Sequence, residues 1–386
     1  MDPDLAAIVF DISGPKRTQA GFAGDDGPRA AFPWIVGRRK NYGICTLGAT
    51  NIKDIYVGDE VEAYERERQF KLQHSNPIED GVVVNWNDME KVWHHAFYDR
   101  LKAEPEQHPL LIADRVVLAP KDNRKMMTQV VFETFNVPAF YASYDCSLSM
   151  HMNDNSPSRN TGLCIYSCDT FTSVTPVVDG MVMRHAAKRL AIGGRDITDL
   201  LQGSLAEKGY DIQRSTVEDM KRKLCHVTQG SNDHHQFLIG DLEAMMSKKL
   251  YTLPDGQVID IDKEERTRAP EIMFNSTNVE QSLHLAGLES IMRCDETVRQ
   301  DIAGNVLISG GNMRFPGLKE RLQKELDKIT PADWLPVEVR VLKNEKTSAW
   351  ISGSILASLS TFSQMWISAA DYNETGPSIV HRKCFY

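Results

Sequence analysis

Two apolar runs in the chain end in a small polar turn, and each is followed by a second strand-like segment. Residues 7–10 lead into Asp11 and a Ser-Gly-Pro turn, after which residues 19–24 return. Residues 162–165 lead into a polar turn at 166–170, after which residues 173–178 return. This pattern predicts two β-hairpins with polar tips. Their recurrence about 155 residues apart indicates an internal duplication.

The tip of the first predicted hairpin carries candidate chemistry. A carboxylate at a strand end suits a hydrated divalent cation, and the N–H groups of a Ser-Gly turn suit a phosphate. The alternative is an ordinary hairpin whose Asp11 caps its own turn. The residues alone leave both interpretations open.

Strand and helix signals alternate through the rest of the first half. Asn87 or Asp88 is positioned to cap an amphipathic helix, and residues 115–120 predict a buried strand. A second amphipathic helix is predicted to follow Asp122 and to stop before Pro138. Such alternation is typical of an α/β layer.

The second half repeats this alternation and adds glycine turns. Gly193-Gly194 is predicted to open one helix, and Lys221 to lie late in another. Residues 305–311 predict a strand that runs into glycines before a helix over 318–328, an arrangement that favours a phosphate but is also a common turn. A further strand over 337–342 and a helix over 347–360 complete the pattern.

The polar run at residues 153–160 marks the predicted boundary between two halves, since 386 residues are enough for two domains. Residues 34–76 are polar and irregular, which predicts a peripheral lobe with too few apolar residues for its own core.

Composition narrows the class of protein. The chain is 41% hydrophobic and 25% charged, which is normal for a globular protein, and its net charge of −9 disfavours non-specific binding to nucleic acid. The N-terminus lacks a secretory pattern and no run reaches the length of a membrane span. Seven scattered cysteines favour reduced thiols in the cytosol or nucleus.

Several blocks of the chain closely resemble actin. They include Ala20-Gly21-Phe22-Ala23-Gly24-Asp25-Asp26, Tyr56-Val57-Gly58-Asp59-Glu60, Asn87-Asp88-Met89-Glu90-Lys91, residues 253–259, residues 353–359 and residues 376–385. The resemblance covers essentially the whole chain. It implies the actin/Hsp70/hexokinase-like α/β fold, in which two α/β domains, each with a smaller outer lobe, enclose a nucleotide cleft.

The resemblance also implies where the lobes divide. The inner lobe of the first domain is expected to comprise residues 1–33, 77–153 and 348–386, and its outer lobe residues 34–76. The inner lobe of the second domain is expected to comprise residues 154–192 and 280–347, and its outer lobe residues 193–279.

Family members bind ATP or ADP with Mg²⁺ or Ca²⁺, and the resemblance assigns the corresponding positions. Asp11 would act on the metal through water. The cofactor-binding positions would be Ser13, Gly14, Gln19, Ser167, Asp169, Gly194, Asp196, Lys221, Arg222, Gly310, Gly311, Arg314 and Lys346.

The phosphate loops depart from the actin pattern. The first is one glycine short, and Gln19 stands where the family has a phosphate-binding lysine. Compensation by Lys16 or Arg17 is the alternative, which depends on their register. In the second, Tyr166 replaces the acid that organises the water shell of the cation, and Cys168 and Thr170 replace both glycines. The added Cβ atoms disfavour close approach of the backbone to phosphate. These changes imply weakened nucleotide binding.

The hydrolytic positions differ as well. By alignment Asp145 replaces the glutamine that orients the attacking water, and Ser173 replaces a histidine. An acid can act as a general base, but it also adds negative charge near the phosphates. We interpret the two changes as a loss of efficient hydrolysis.

Partner surfaces are partly kept. The family's docking cleft retains Ile351, Ile355, Leu356, Leu359 and Met365, which implies actin or a second copy of the chain, and actin-binding proteins, as partners. Residues 275–281 are polar where the family has an apolar plug between filament strands, and the outer loop at 39–54 diverges.

Three functions follow as hypotheses. The favoured one is a divergent, cytoplasmic, actin-like cytoskeletal protein that acts as a structural or regulatory subunit with weakened or absent ATP hydrolysis. The alternatives are a working ATP-dependent, filament-forming actin and a relic gene product with no stable role. A nuclear complex is an alternative location.

Overall fold

A computed structural model describes residues 5–14, 17–39, 53–68, 71–115, 117–151, 160–228, 249–275, 282–334, 336–342 and 347–384. The chain divides into two compact units. Unit 1 comprises residues 1–155, 180–182 and 344–386, and unit 2 comprises residues 156–179 and 183–343. Within the described residues, none of the helices combines the length and the apolar character that crossing a bilayer requires.

The strands of the described chain are short. They are β1 (Ile8–Asp11), β2 (Arg17–Phe22), β3 (Ala30–Pro33), β4 (Val36–Arg38), β5 (Ile55–Val57), β6 (Gln73–Ser75), β7 (Ile78–Glu79), β8 (Val82–Val83), β9 (Leu110–Asp114), β10 (Ala139–Tyr144), β11 (Gly162–Ser167), β12 (Thr172–Val178), β13 (Met181–Val182), β14 (Lys188–Leu190), β15 (Lys249–Thr252), β16 (Val258–Ile261), β17 (Val306–Ser309), β18 (Val339–Val341) and β19 (Ile367–Ser368).

The α-helices are α1 (Asp59–Arg68), α2 (Trp86–His94), α3 (Lys121–Glu133), α4 (Asp145–His151), α5 (Gly194–Glu207), α6 (Arg214–Leu224), α7 (Lys263–Glu271), α8 (Leu283–Met292), α9 (Glu296–Ala303), α10 (Leu318–Ile329), α11 (Ser348–Ser358), α12 (Ala369–Thr375) and α13 (Val380–Lys383). A π-helical segment, His95–Leu101, continues α2. Short 3₁₀ turns occur at Pro105–Gln107, Gly311–Arg314, Ser360–Gln364 and Pro377–Ile379.

Unit 1 is built on a six-stranded sheet in the order β19-β10-β9-β1-β2-β3. The central strands β1, β9 and β10 run parallel, and β1 and β2 form the predicted hairpin. Parallel strands covered on both faces consist of apolar runs, and the side chains of Ile8, Val9 and Phe10 are fully buried. Helix α11 packs on this sheet, where Trp350 Nε1 donates to the Val9 carbonyl at 3.0 Å.

Unit 2 repeats this arrangement. Strands β11 and β12 form the second predicted hairpin, and β17 and then β18 add in parallel beside β11. Each unit therefore contains a hairpin whose first strand takes parallel partners on its other edge. The shared topology supports the duplication inferred from the two hairpin patterns.

Two local predictions are wrong. The strand lies at Leu110–Asp114 and not over 115–120, because residues 110–113 pair with both β1 and β10, and the chain turns after Arg115. The cap of α2 is Asn85, whose side chain accepts from Asp88 N at 3.1 Å. The Asp88 carboxylate is instead paired with Arg38.

The polar segment 34–76 does contain a small apolar cluster, contrary to expectation. Strands β4, β5 and β6 form a three-stranded sheet. Tyr56, Val61 and Leu72 are buried together beside it, with Ile35 and Tyr64 packed against them. The cluster forms because residues distant in sequence converge through the strand pairing, which local apolar content does not reveal.

Candidate functional site

In the first polar turn, the residues that follow Asp11 hydrogen-bond to its carboxylate or to a neighbouring strand. Asp11 ends β1 and is 2% exposed. Its Oδ1 accepts hydrogen bonds from Ser13 N at 2.7 Å and from Ser13 Oγ at 2.5 Å. The amide of Ile12 donates to the Ala113 carbonyl at 3.1 Å. The amides of both residues that follow Asp11 are therefore engaged inside the protein.

Asp11 keeps the chemistry of a cation ligand in this turn. Burial raises the pKa of its carboxyl, while the Ser13 hydrogen bonds and the charge of Arg115 partly offset that rise. A bound cation would favour the ionised form for the same electrostatic reason as Arg115 does. The residue therefore fits the water-mediated metal role expected from the resemblance, which stays a prediction.

An ion pair lies beside this turn. Arg115 Nε donates to Asp145 Oδ2 at 2.6 Å, and Arg115 NH2 donates to Ser13 Oγ at 3.4 Å. The two charged side chains are only 12% and 11% exposed. Burial raises the pKa of Asp145 to about 6, although Arg115 lowers it. The predicted hydrolytic position is thus occupied by a carboxylate that a buried guanidinium holds.

Sheet topology explains why these residues meet. Strands β1, β9 and β10 are parallel, so that their carboxyl ends lie at one edge of the sheet. Asp11 ends β1, Asp114 ends β9, and Asp145 follows β10. Arg124 neutralises Asp114 through hydrogen bonds of 2.9 and 2.8 Å, and its guanidinium lies 3.6 Å from the centre of the Tyr144 ring.

Two further predicted residues lie at this turn. Gln19 is directly opposite Asp11 in the β1–β2 register and is 9% exposed, so a neutral amide stands next to the carboxylate. Gly14 is partly exposed at the tip. Pro15 and Lys16 lie outside the described residues.

The second polar turn is held by a chain of side-chain hydrogen bonds. Asn312 Nδ2 donates to Ser167 Oγ at 3.0 Å, and Ser167 Oγ lies 2.7 Å from Thr172 Oγ1. Because Thr172 Oγ1 donates to the Ile192 carbonyl at 2.7 Å, the Ser167 hydroxyl must donate to Thr172. Ser167 is fully buried, and its hydroxyl proton is therefore committed within unit 2.

The backbone groups of the same turn also form hydrogen bonds within the protein. The Cys168 amide donates to the Phe171 carbonyl at 3.0 Å, and the Cys168 thiol lies 3.4 Å from the same oxygen. The carbonyl of Cys168 accepts from Gly194 N at 2.9 Å and from Asn312 Nδ2 at 2.6 Å. These bonds tie the turn to the start of α5 and to the segment after β17.

Gly310 allows that close packing. Its φ of +102° is a conformation that residues with a side chain rarely adopt. A Cβ atom built on it would lie 2.1 Å from the Ser167 carbonyl oxygen. The predicted strand-glycine turn therefore serves to bring β17 and the β11 end into contact. Gly311, the next residue, is exposed and has open space at its Cβ position.

Lys221 supplies a cation near the start of α5. Its Nζ donates to the Gly194 carbonyl at 2.7 Å, and the side chain is buried. Burial lowers the pKa of Lys221, while the charge of Asp169 opposes that change. Asp196 caps the same helix, because its Oδ2 accepts from Gly193 N at 2.8 Å.

Two positions that differ from the actin pattern, Tyr166 and Ser173, face each other across the second hairpin. Tyr166 is opposite Ser173 in the β11–β12 register, and Ser173 is opposite Arg189 in β14. Tyr166 is 8% exposed, and its ring meets Phe171 edge-on with 6.4 Å between centroids. Where the resemblance leads one to expect an acid, unit 2 thus has a buried aromatic ring.

Three of the remaining predicted cofactor residues are exposed. The side chains of Asp169 and Arg222 are 57% and 67% exposed, and Arg222 pairs with Asp219 at 3.6 Å. Arg314 is exposed at the end of its 3₁₀ turn. Lys346 lies outside the described residues.

The predicted docking residues form a partly exposed apolar strip on unit 1. Ile355 and Leu359 are 52% and 49% exposed. Ile351, Leu356 and Met365 are partly buried against the core. The altered plug and outer loop cannot be compared in the same way, since residues 276–281 and 40–52 are outside the described parts of the chain.

Three residues that the sequence patterns did not single out also hold the two turns: Arg115, Asn312 and Thr172. Arg115 carried a signal, because a charged residue that opens a predicted buried strand is unusual, and it follows directly on Asp114. Asn312 and Thr172 carried none, because their hydrogen-bond partners are distant in sequence or belong to the backbone.

The donor set fits a nucleotide in part. Asp11, at the end of β1, suits a cation, and Lys221, in the last turn of α6 with its Nζ at the start of α5, suits an anion. Several groups that could bind phosphate are used internally: the Ser13 amide and hydroxyl, the Cys168 amide and the Ser167 hydroxyl. This arrangement favours weaker phosphate binding than open turns would give.

Comparison with known families identifies the chain. The family model described as Actin matches residues 3–215 and 210–385, which together cover almost the whole sequence. The mixed α/β architecture is consistent with the actin-like fold. The match confirms the resemblance drawn from the sequence blocks, and the chain therefore belongs to the actin family.

Proposed function

We propose that this protein is a divergent actin-like cytoskeletal subunit with a structural or regulatory role and weakened or absent ATP hydrolysis. Members of its family bind ATP or ADP with a divalent cation. In this chain Asp11 would act on the cation, and Lys221 beside the start of α5 would contact the nucleoside side of the nucleotide. Bound nucleotide would serve chiefly to stabilise the fold.

The Arg115–Asp145 ion pair is the observation that carries the proposal. A residue that orients an attacking water needs a free acceptor directed at that water. Asp145 has one carboxylate oxygen on Arg115 at 2.6 Å, and both partners are nearly buried. Removing one partner of such a pair is costly, so the pair resists opening during a catalytic cycle.

The internal hydrogen bonds of the two turns support the weakened binding. A phosphate that approached Ser13 would have to compete with the Asp11 carboxylate for the Ser13 amide and hydroxyl. A phosphate at the second turn would have to displace the Ser167–Thr172 contact. Each exchange offsets part of the free energy that a new phosphate contact contributes.

We propose actin, or a second copy of the chain, and actin-binding proteins as partners. The apolar strip of Ile355, Leu356 and Leu359 supports this proposal, because exposed apolar groups of this kind are typical of interaction surfaces. A location in the cytoskeleton follows from these partners, with a nuclear complex as the alternative.

Calorimetric titration of the purified protein with Mg-ATP, with phosphate release measured on the same sample, tests the proposal. We expect measurable binding with no release above the rate in a blank that lacks protein. An Asp11→Ala variant is the control, since it should lose the Mg²⁺-dependent part of the binding without altering the nucleoside contacts.

Two results would overturn the proposal. Tight binding with steady release, together with polymer formation on nucleotide binding, would identify a working filament-forming actin. No binding by a folded sample would mean that nucleotide has no role and that the fold is retained as a surface for partners.

A further inference from the structure

Among the described residues, three carboxyl groups and two arginines lie together at the carboxyl edge of the unit 1 sheet. Asp11, Asp114 and Asp145 meet there, and the cations in contact with them are Arg115 and Arg124. The Arg124 guanidinium is held by two hydrogen bonds to the Asp114 carboxylate and by its contact with the Tyr144 ring. Of the two arginines that the described residues place in contact with these carboxylates, Arg115 is therefore the one that reaches the Ser13 turn.

Arg115 is positioned to contact an anion at the Ser13 turn. Its Nε is fixed by Asp145 at 2.6 Å, whereas its NH2 reaches Ser13 Oγ only at 3.4 Å, a long and weak hydrogen bond. A guanidinium offers five N–H donors in a rigid plane, so one edge can stay on Asp145 while another faces a second acceptor. The side chain is 12% exposed, which leaves it a path to solvent.

On the described part of the opposite strand, the cation is Arg17, whose NH2 donates to the Ala31 carbonyl at 3.3 Å. Gln19 faces Asp11 across the hairpin and carries a neutral amide. The Ser13 amide and hydroxyl are already on the Asp11 carboxylate. A polyphosphate at this turn would meet mainly acceptors unless a nearby cation supplied donors.

We infer that Arg115 is the phosphate-binding residue of unit 1, with Asp145 as the positioning residue that directs its guanidinium at the Ser13 turn. This inference rests on the proposed nucleotide binding and deepens it. The acid at position 145 then orients a phosphate-binding arginine and does not act on water.

Calorimetric titration of Arg115→Gln, Arg115→Lys and wild-type protein with Mg-ATP and with AMP tests the inference. We expect Arg115→Gln to bind Mg-ATP about ten- to a hundredfold more weakly, since it loses a charge-assisted contact, and to bind AMP as the wild type does. Arg115→Lys keeps the charge and loses the planar fork, so we expect roughly a fivefold loss for Mg-ATP. Arg100→Gln, which breaks an exposed pair with Asp59, is the matched control and should bind both ligands normally.

The outcomes separate this inference from the proposed function. Unchanged or stronger Mg-ATP binding by Arg115→Gln, beside normal binding by the wild type, would overturn the role of Arg115 alone. A parallel loss of Mg-ATP and AMP binding would mean that Arg115 acts through the fold. If Arg115→Gln does not fold, unchanged Mg-ATP binding by Arg115→Lys would overturn the inference. No binding by the wild type would overturn both.

Discussion

Tyr166 stands in unit 2 where the resemblance to actin implies an acid. Its ring fills the end of β11, packed edge-on against Phe171 and opposite Ser173. An aromatic ring cannot organise water around a cation, whereas a carboxylate can. The side chain therefore replaces cation chemistry with apolar packing.

Restoring the family residues in this turn should restore part of the affinity. We expect Tyr166→Asp combined with Cys168→Gly to bind Mg-ATP more tightly than the wild type. The first substitution restores a carboxylate, and the second removes a Cβ atom so that phosphate can approach the backbone closely. The gain should disappear when Mg²⁺ is chelated, as measured by calorimetry. Tyr166→Asn with Cys168→Gly is the control for lost packing, because it removes the ring without adding a carboxylate. An unchanged affinity of the Tyr166→Asp, Cys168→Gly variant would mean that this turn does not face the nucleotide.

Asp145 should make the stability of unit 1 depend on pH. Burial raises its pKa to about 6, above the value of about 3.9 in an unfolded chain. The native state then holds the proton more tightly than the unfolded state. Stability from this group is present in full below pH 4 and is lost as the pH rises through 6.

The comparison of wild type with Asp145→Asn isolates this effect. We expect the difference in unfolding free energy between them to change by up to about 3 kcal/mol between pH 4 and pH 7, in the direction that disfavours the wild type at pH 7. Five of the six tryptophans belong to unit 1, so urea unfolding followed by tryptophan fluorescence reports on it. A pH-independent difference would contradict the raised pKa.

At the scale of elements, the contact between β17 and the end of β11 depends on one glycine. Gly310→Ala would place a Cβ atom 2.1 Å from the Ser167 carbonyl oxygen at a φ of +102°. We expect a loss of about 3 kcal/mol or more in unit 2. Gly311→Ala, where the added atom has nothing within 4 Å, should have little effect.

Amide hydrogen exchange in β11 (Gly162–Ser167) would measure how each of the two substitutions changes local stability in unit 2. The amides of β11 should exchange much faster in Gly310→Ala and at the wild-type rate in Gly311→Ala. Equal protection in both variants would show that the segment after β17 adapts to the added side chain.

Local patterns predicted the hairpins well, because polar turns between apolar runs mark them in sequence. The local patterns gave wrong strand positions where pairing between residues distant in sequence determines which segment forms the strand. Residues 115–120 look like a strand, yet residues 110–113 pair with both β1 and β10 and take the strand position. The Arg115–Asp145 pair could not be foreseen for the same reason, since the topology alone brings together residues 30 positions apart.

The assignment of nucleotide-binding positions stays a prediction, and the hydrogen bonds within the two turns could not be predicted from the sequence. The resemblance assigned Asp11 to the cation, Ser167 to a phosphate loop and Lys221 to the nucleoside side. Asp11 and Ser167 end strands, and Lys221 lies in the last turn of α6. That Ser13 turns back on Asp11, and that Ser167 donates to Thr172, depends on geometry at the scale of tenths of an ångström. Hydrogen-bond competition of this kind leaves no mark in residue spacing.

At the scale of the whole molecule, weakened nucleotide binding should appear as a small gain in stability. A ligand that binds only the native state stabilises it by RT ln(1 + [L]/Kd). At about 5 mM Mg-ATP, a Kd of about 1 mM gives roughly 1 kcal/mol, whereas a Kd of about 1 µM gives roughly 5 kcal/mol. Thermal unfolding with and without Mg-ATP distinguishes these values. We expect a shift of only a few degrees, because the turns use their donors internally, and a shift above about 10 °C would place the protein with tightly binding members of its family.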